Sequence, residues 1–161
     1  IEEFFIASIV DPVIDTVRPL MAKNGNSLVI DDIVNADKMC SDKTKLRQIL
    51  LNLFSNAAKF TENGKITFQI LNQNIGGIKF LEFIVHDTGI GMTEDQLIKV
   101  FDEFAQADKT ITSKYGGSGL GLSICKKYSH MLGGDIKVSS TIGEGSEFRL
   151  VLPMNINRAV A

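Results

Sequence analysis

The chain has 161 residues and a net charge of −2 at pH 7, which fits one domain of ordinary size. A charge so close to zero gives no electrostatic basis for binding nucleic acid or an anionic membrane, so we expect neither partner. Apolar runs are far shorter than a membrane span and no signal-peptide pattern opens the chain, so we expect a cytoplasmic part of a longer protein. The two cysteines lack a metal-ligand spacing, which predicts reduced thiols and no structural zinc site.

The first third of the chain predicts a helix, a strand and a loop. Apolar residues at helical spacing follow Asp11-Pro12, a pair typical of a helix start, and Asn24-Gly25 marks the end of this helix. Residues 27–33 predict a strand, and residues 35–42 predict a polar loop.

Residues 46–60, LRQILLNLFSNAAKF, predict the helix around which the chain is organised, capped by Ser41 or Asp42. Its apolar residues recur on one buried face, and Asn52, Asn56 and Lys59 share a neighbouring stripe. Amide oxygens can ligate a hard cation, and an ammonium group can meet phosphate. Taken by itself, however, the stripe favours a solvated flank of an ordinary core helix.

The rest of the chain predicts two hairpins and two helices. They are strands at 65–71 and 79–86 joined by a turn at 73–77, a short helix capped by Thr93, a long helix at 120–132, and strands at 135–140 and 146–152. Regular structure is predicted to end at Pro153, so the domain would span residues 1–154, with a tail at 155–161. These elements predict an α/β fold with about five strands in one mixed, mostly antiparallel sheet, covered on one face by three helices.

Three glycine-rich segments can carry chemistry. In Asp87–Met92, DTGIGM, a carboxylate at a strand end can accept from an amino group, and Gly89 and Gly91 permit a sharp turn close to a flat ligand. Residues 116–122, GGSGLGL, lead into a helix whose first N–H groups and dipole favour an anion. Residues 143–148, GEGSEF, form a turn. Each segment alone is equally typical of an ordinary turn or hinge.

The order of the segments is more specific than any one of them. Asn52-x-x-x-Asn56-Ala57-x-Lys59-Phe60 is followed by DTGIGM, FDEF, GGSGLGL and GEGSEF. This order resembles the ATP-binding catalytic domain of sensor histidine kinases, a Bergerat-type fold shared more distantly with gyrase, mismatch-repair and heat-shock chaperone ATPases. The resemblance runs from about Asp11 to Pro153, and ICKKYSHMLGGDI is most similar to hybrid kinases, which carry fused receiver domains.

The resemblance implies a protein histidine kinase module that binds ATP and Mg²⁺ and donates the γ-phosphate to a histidine on a separate domain. It implies that Asn56 ligates Mg²⁺ and that Asn52 and Lys59 act at the phosphates as catalytic residues. Asp87 would accept a hydrogen bond from the adenine amino group. The other implied nucleotide contacts are Phe60, Gly89, Ile90, Gly91, Met92, Phe104, Lys114, Tyr115, Gly117, Gly119, Leu120, Gly121, Leu122 and Ser146.

Two positions bear on whether the domain transfers phosphate, hydrolyses ATP or only binds a nucleotide. Relatives that hydrolyse ATP carry a glutamate base where this chain has Asn52, and a carboxamide is a poor base, so phosphotransfer is favoured over an ATP-hydrolysing clamp. Ser113 stands where many relatives have arginine, and Lys114 or Lys109 would have to replace that charge near the γ-phosphate. Without such a charge, the alternative is a degenerate regulatory module that binds a nucleotide without phosphotransfer.

Neither histidine has the context of a phosphoacceptor. His86 precedes Asp87 on a predicted strand, and His130 lies within a predicted helix, so both are interpreted as structural. The resemblance therefore implies two partners, an upstream dimerisation and histidine-phosphotransfer domain and a response-regulator receiver domain.

Overall fold

The computed structural model describes residues 1–33, 38–103 and 120–159. The helices are α1 (Ala7–Lys23), α2 (Lys43–Phe60), α3 (Glu94–Lys99), α4 (Gly121–Met131) and α5 (Ile156–Ala159). The strands are β1 (Glu2–Phe5), β2 (Ser27–Ile33), β3 (Lys38–Ser41), β4 (Lys65–Ile75), β5 (Ile78–Asp87), β6 (Asp135–Thr141) and β7 (Gly145–Pro153). None of the helices in these ranges is long and apolar enough to cross a bilayer.

Five strands form one mixed sheet in the order β2-β4-β5-β7-β6. The β2–β4 pair is parallel and the other three pairs are antiparallel. The predicted fold class is therefore confirmed, and β1 and β3 add a separate antiparallel pair.

The core lies between one face of this sheet and the long helices. The predicted apolar face of α2 is buried throughout, and Phe54 meets Phe68 of β4 edge to face, with ring centroids 5.0 Å apart. Burying a side chain of this size contributes roughly 1.5–3 kcal/mol. Because this face locks α2 onto the sheet, it also determines where the neighbouring polar stripe points.

Side-chain hydrogen bonds fix both ends of α2, from the cap residue Asp42 at the N-terminal end and from Asn26 at the C-terminal end. Asp42 is the N-cap, and its carboxylate accepts from the backbone N–H of Lys45 at 3.0 Å. The Lys45 side chain, 2.7 Å away, lowers the pKa of Asp42. At the other end, buried Asn26 donates to the Thr61 carbonyl at 2.7 Å and accepts from the Gly64 N–H at 3.0 Å.

Two predictions about the first forty residues are wrong. Helix α1 begins at Ala7 rather than at Asp11-Pro12, because the buried Ile9 and Val10 anchor an earlier turn. The predicted loop at 35–42 contains β3, which pairs with β1. Residues so distant in sequence leave no local periodicity to indicate their pairing.

The two hairpin strands are also longer than predicted. The β4–β5 turn is the pair Gly76-Gly77, with φ of 58° and 83°, rather than the five residues 73–77. Positive φ at both positions is what a two-residue hairpin turn requires, and glycine adopts it without strain.

Regular structure also continues past Pro153, where it was predicted to stop. The Met154 carbonyl accepts from the Cys40 N–H at 2.8 Å, and Ile156 of α5 is buried. The proposed division of the chain at residue 154 stays a prediction.

We expect Asn26→Ala to lower the free energy of unfolding by about 2–4 kcal/mol. The change leaves the Thr61 carbonyl and the Gly64 N–H without their buried partner. Urea denaturation measures the change, with the exposed Asn72→Ala as the matched control. An equal, small effect of both changes would contradict the assigned role of Asn26.

Candidate functional site

Two elements meet at the C-terminal end of α2. The Phe60 carbonyl accepts from the Ile90 N–H at 3.1 Å, which joins the helix to the turn that follows β5. The polar stripe of α2 and residues 87–92 therefore belong to one continuous surface. The sequence predicted both segments, and this backbone contact brings them together.

Asn52 connects α2 to the start of α4. Its Nδ2 donates to the Gly121 carbonyl at 3.2 Å, and its Oδ1 accepts from Gln48 Nε2 at 3.1 Å. A carbonyl oxygen only accepts, so the amide nitrogen must be the atom that faces Gly121. The first turn of α4, with its outward N–H groups and the positive end of the helix dipole, therefore lies beside the polar stripe.

Asn56 and Lys59 differ from Asn52 because their side chains have no bonding partner among the described residues. Both are half-buried, and neither side chain makes a hydrogen bond or an ion pair with any residue that the structure describes. A carboxamide oxygen and an ammonium group on one stripe, beside a helix N-terminus, suit a hard cation together with an anion. This donor set therefore fits a metal–phosphate group.

Asp87 lies at the end of β5 and is only 5% exposed. Its carboxylate accepts from the Gly89 N–H at 2.9 Å and from the Ser146 N–H across the β5–β7 pair. Burial raises the pKa of Asp87, and the two N–H donors oppose this increase. The buried Thr61 hydroxyl also contacts this carboxylate, at a geometry short of a full hydrogen bond.

The glycines around Asp87 are required by the protein itself. A Cβ on Gly89 would lie 2.2 Å from the Phe60 carbonyl oxygen, and one on Gly91 would lie 2.0 Å from that of Thr141. A Cβ on Gly145 would lie 1.9 Å from the Asp87 carbonyl oxygen. The sequence interpretation, which assigned Gly89 and Gly91 to ligand approach, missed this backbone packing.

Gly121 is different, because a Cβ there would meet only Asn52, at 3.7 Å. This is an ordinary van der Waals contact, so the described part of the protein has room for a side chain. Among the described residues, none therefore requires glycine at the start of α4.

The structure groups the described site residues into two sets. Phe60, Asp87, Gly89, Ile90, Gly91, Met92 and Ser146 surround the turn after β5, and Asn52, Asn56, Lys59, Leu120, Gly121 and Leu122 lie on α2 and at the start of α4. The remaining predicted contacts lie outside the described residues: Phe104, Lys114, Tyr115, Gly117 and Gly119, together with Lys109 and Ser113.

Sequence reasoning missed several residues next to the site. Thr61 follows the predicted helix directly, and Ser140 accepts from the Met92 N–H at 2.8 Å. Lys126 pairs with Asp135 at 2.6 Å and lies 5.2 Å from the centre of the Phe101 ring. Only the position of Thr61, immediately after the motif, was a usable signal in the sequence.

The two histidines lie outside this surface. His86 faces the opposite side of the sheet from Asp87, with Nδ1 3.7 Å from a carboxylate oxygen of Glu147. His130 lies on α4, with Nε2 3.0 Å from Asp135 Oδ1.

We expect Asp87→Asn to leave the free energy of unfolding at pH 7 at least as high as in the wild type. The raised pKa means that the folded state binds the proton more tightly than the unfolded state. The contribution of Asp87 to stability is therefore highest below the ordinary aspartate value of 3.8 and falls as the pH rises through the raised pKa. Denaturation at several pH values should show the advantage of the asparagine variant shrinking as the pH falls.

Asp87→Ala is the matched comparison, because it removes the acceptor as well as the charge. It leaves two buried N–H groups unpaired and should cost about 1–3 kcal/mol. A loss as large in Asp87→Asn would contradict the view that the ionised carboxylate lowers stability.

Comparisons with known proteins agree with this geometry. The family model described as "Histidine kinase-, DNA gyrase B-, and HSP90-like ATPase" matches residues 41–156. The autoinducer 2 sensor kinase/phosphatase LuxQ of Vibrio cholerae is 39% identical over 157 residues, which is 96% of this chain and 18% of LuxQ. Hybrid signal transduction histidine kinase A of Dictyostelium discoideum is 43% identical over 120 residues, 70% of this chain and 6% of that protein.

Among solved structures, full-length ShkA in complex with AMPPNP superposes with a TM-score of 0.80 at 31% identity, covering 94% of this chain and 30% of ShkA. The chain thus spans less than a fifth of the length of LuxQ. With the family model matched over most of its length, and with sensor histidine kinases as its relatives, the chain belongs to the histidine kinase-, DNA gyrase B- and HSP90-like ATPase family.

Proposed function

We propose that this domain binds Mg·ATP and donates the γ-phosphate to a histidine on a dimerisation domain of a longer protein. The observation that carries the proposal is the Asn52–Gly121 hydrogen bond. It sets the polar stripe of α2 against the N-terminus of α4, within one surface that also includes buried Asp87. In this proposal, Asp87 is the acceptor for the base, Asn56 is the cation ligand, and the start of α4 binds the phosphates.

Asp87 is suited to the adenine end of this row. Two backbone N–H groups hold its carboxylate in place, so its remaining acceptor capacity has a fixed direction. Adenine offers an amino group where guanine offers a carbonyl, so a buried acceptor favours adenine.

Asn56 and Lys59 are suited to the phosphate end. Asn56 would ligate Mg²⁺, which supplies charge neutralisation at the phosphates, and Lys59 would contact phosphate oxygens directly. Both side chains are free of other partners among the described residues, so no internal bond must break when the ligand binds.

Asn52 favours transfer over hydrolysis. Its carboxamide cannot act as a base, and it is already bonded to Gly121 and Gln48. We infer a positioning role at the phosphates and no activation of water. A γ-phosphate protected from water is available to a protein acceptor.

The relatives support the partners that we propose. ShkA was solved with AMPPNP, and the relatives are named as sensor or hybrid kinases several times longer than this chain. A dimerisation domain carrying the acceptor histidine and a receiver domain are therefore the proposed partners within or beside the longer protein.

We expect calorimetry to separate the two ends of the site. Asp87→Asn should abolish detectable ATP binding without unfolding the domain. The Gly89 N–H would retain the amide oxygen, and the NH₂ group that replaces the second carboxylate oxygen would donate where the adenine amino group also donates. Asn56→Ala should keep Mg²⁺-independent binding and lose the gain in affinity that Mg²⁺ provides. Retained ATP affinity in Asp87→Asn would count against the assignment.

We expect Gly121→Ala to keep the fold and to weaken ATP binding by about tenfold, or about 1.4 kcal/mol. The described protein has room for the methyl group, so the loss would come from a phosphate close to the start of α4. Thermal denaturation measures the effect on the fold, and calorimetry measures the effect on ATP binding. Gly143→Ala is the contrasting variant: a Cβ there meets nothing within 4 Å, but φ is 81°, so this change should strain the backbone. Unchanged affinity in folded Gly121→Ala would place the phosphates elsewhere.

The reaction itself is tested with radiolabelled ATP and the dimerisation domain of the longer protein. Label on histidine supports the kinase. ATP binding without transfer supports the regulatory module, and steady phosphate release from the domain alone supports the hydrolysing clamp.

A further inference from the structure

Ser140 of β6 is the centre of a hydrogen-bond network behind Asp87. Its Oγ lies 2.8 Å from the Met92 N–H, 2.8 Å from the Gly145 carbonyl oxygen and 2.8 Å from Ser146 Oγ. The Ser146 N–H in turn donates to the Asp87 carboxylate. Ser140 thus joins the turn that contains residues 87–92 to the two strands that support it.

Counting protons determines the direction of each bond. The Gly145 carbonyl can only accept, so Ser140 uses its single hydroxyl proton there. The Met92 N–H can only donate, so Ser140 Oγ accepts from it. The contact between the two serines must then be a bond that Ser146 donates and Ser140 accepts.

This direction has a consequence for Ser146. Because its proton is committed to Ser140, its oxygen has only lone pairs left for any other group. Ser146 is paired with Asp87 across the β5–β7 ladder, so both side chains lie on the same face of the sheet. Beside this carboxylate, the second polar group is therefore also an acceptor.

We propose that Ser140 is a positioning residue for base selection, which holds the Ser146 hydroxyl as an acceptor beside Asp87. The inference rests on the proposed nucleotide binding. Asp87 and Ser146 would then both offer acceptors. Two acceptors fit a base edge, or a bridging water, that donates hydrogen bonds, and they disfavour guanine, whose carbonyl can only accept. Ser140 contributes through Ser146 and does not touch the base.

The first test needs no ligand. In Ser140→Ala, the Ser146 hydroxyl loses its acceptor and is free to donate to the Asp87 carboxylate, which lowers the pKa of Asp87. Carboxyl NMR of the labelled protein should show the Asp87 titration midpoint moving to lower pH. The shift should vanish in Ser140→Ala/Ser146→Ala and be absent in Ser139→Ala, a matched control on the neighbouring exposed serine.

The second test measures ATP and GTP affinities by calorimetry. Ser140→Ala should weaken ATP binding by about fivefold and reduce the preference for ATP over GTP, and Ser140→Thr, which keeps a hydroxyl, should restore both. In the Ser146→Ala background, Ser140→Ala should have no further effect on the preference. Equal effects in both backgrounds, or an unmoved Asp87 midpoint, would overturn the proposal.

The two tests fail for different reasons. A wild-type domain that binds no ATP would refute the proposed function, while the Asp87 titration would still test the Ser140 network.

Discussion

The candidate site depends on the contact between the C-terminal end of α2 and the turn that follows β5. The Phe60 carbonyl holds the turn after β5 through Ile90, and the next residue, Thr61, is held by Asn26. The buried face of α2 orients this contact, since no rotation of the helix is possible without exposing the core. The polar stripe and the Asp87 turn are therefore two parts of one rigid surface.

The surface around Asp87 carries a cost in stability. Asp87 is a buried carboxylate with a raised pKa, so its charge lowers stability at neutral pH. Around it, Gly89, Gly91 and Gly145 allow backbones to touch where a Cβ would collide. The proposed role of Asp87 as the acceptor for a base would account for this arrangement, because such an acceptor has to be buried and fixed in direction.

The three residues of the polar stripe, Asn52, Asn56 and Lys59, differ in their bonding partners. Asn52 is bonded to Gly121, and it joins two helices. Asn56 and Lys59 have no partner among the described residues, which suits groups that act on a ligand. The motif thus divides into one residue that bonds to the start of α4 and two residues without a partner among the described residues.

The sequence by itself determined the elements whose pattern is local. The apolar period of α2, the strand at 27–33 and the glycine segments each depend on residues within one or two turns, and their order identified the family. Only the tertiary structure decided the β1–β3 pairing, the packing need for Gly89 and the Ser140 network. These arise between residues far apart in the chain, where contact depends on the packed fold and leaves no spacing to read.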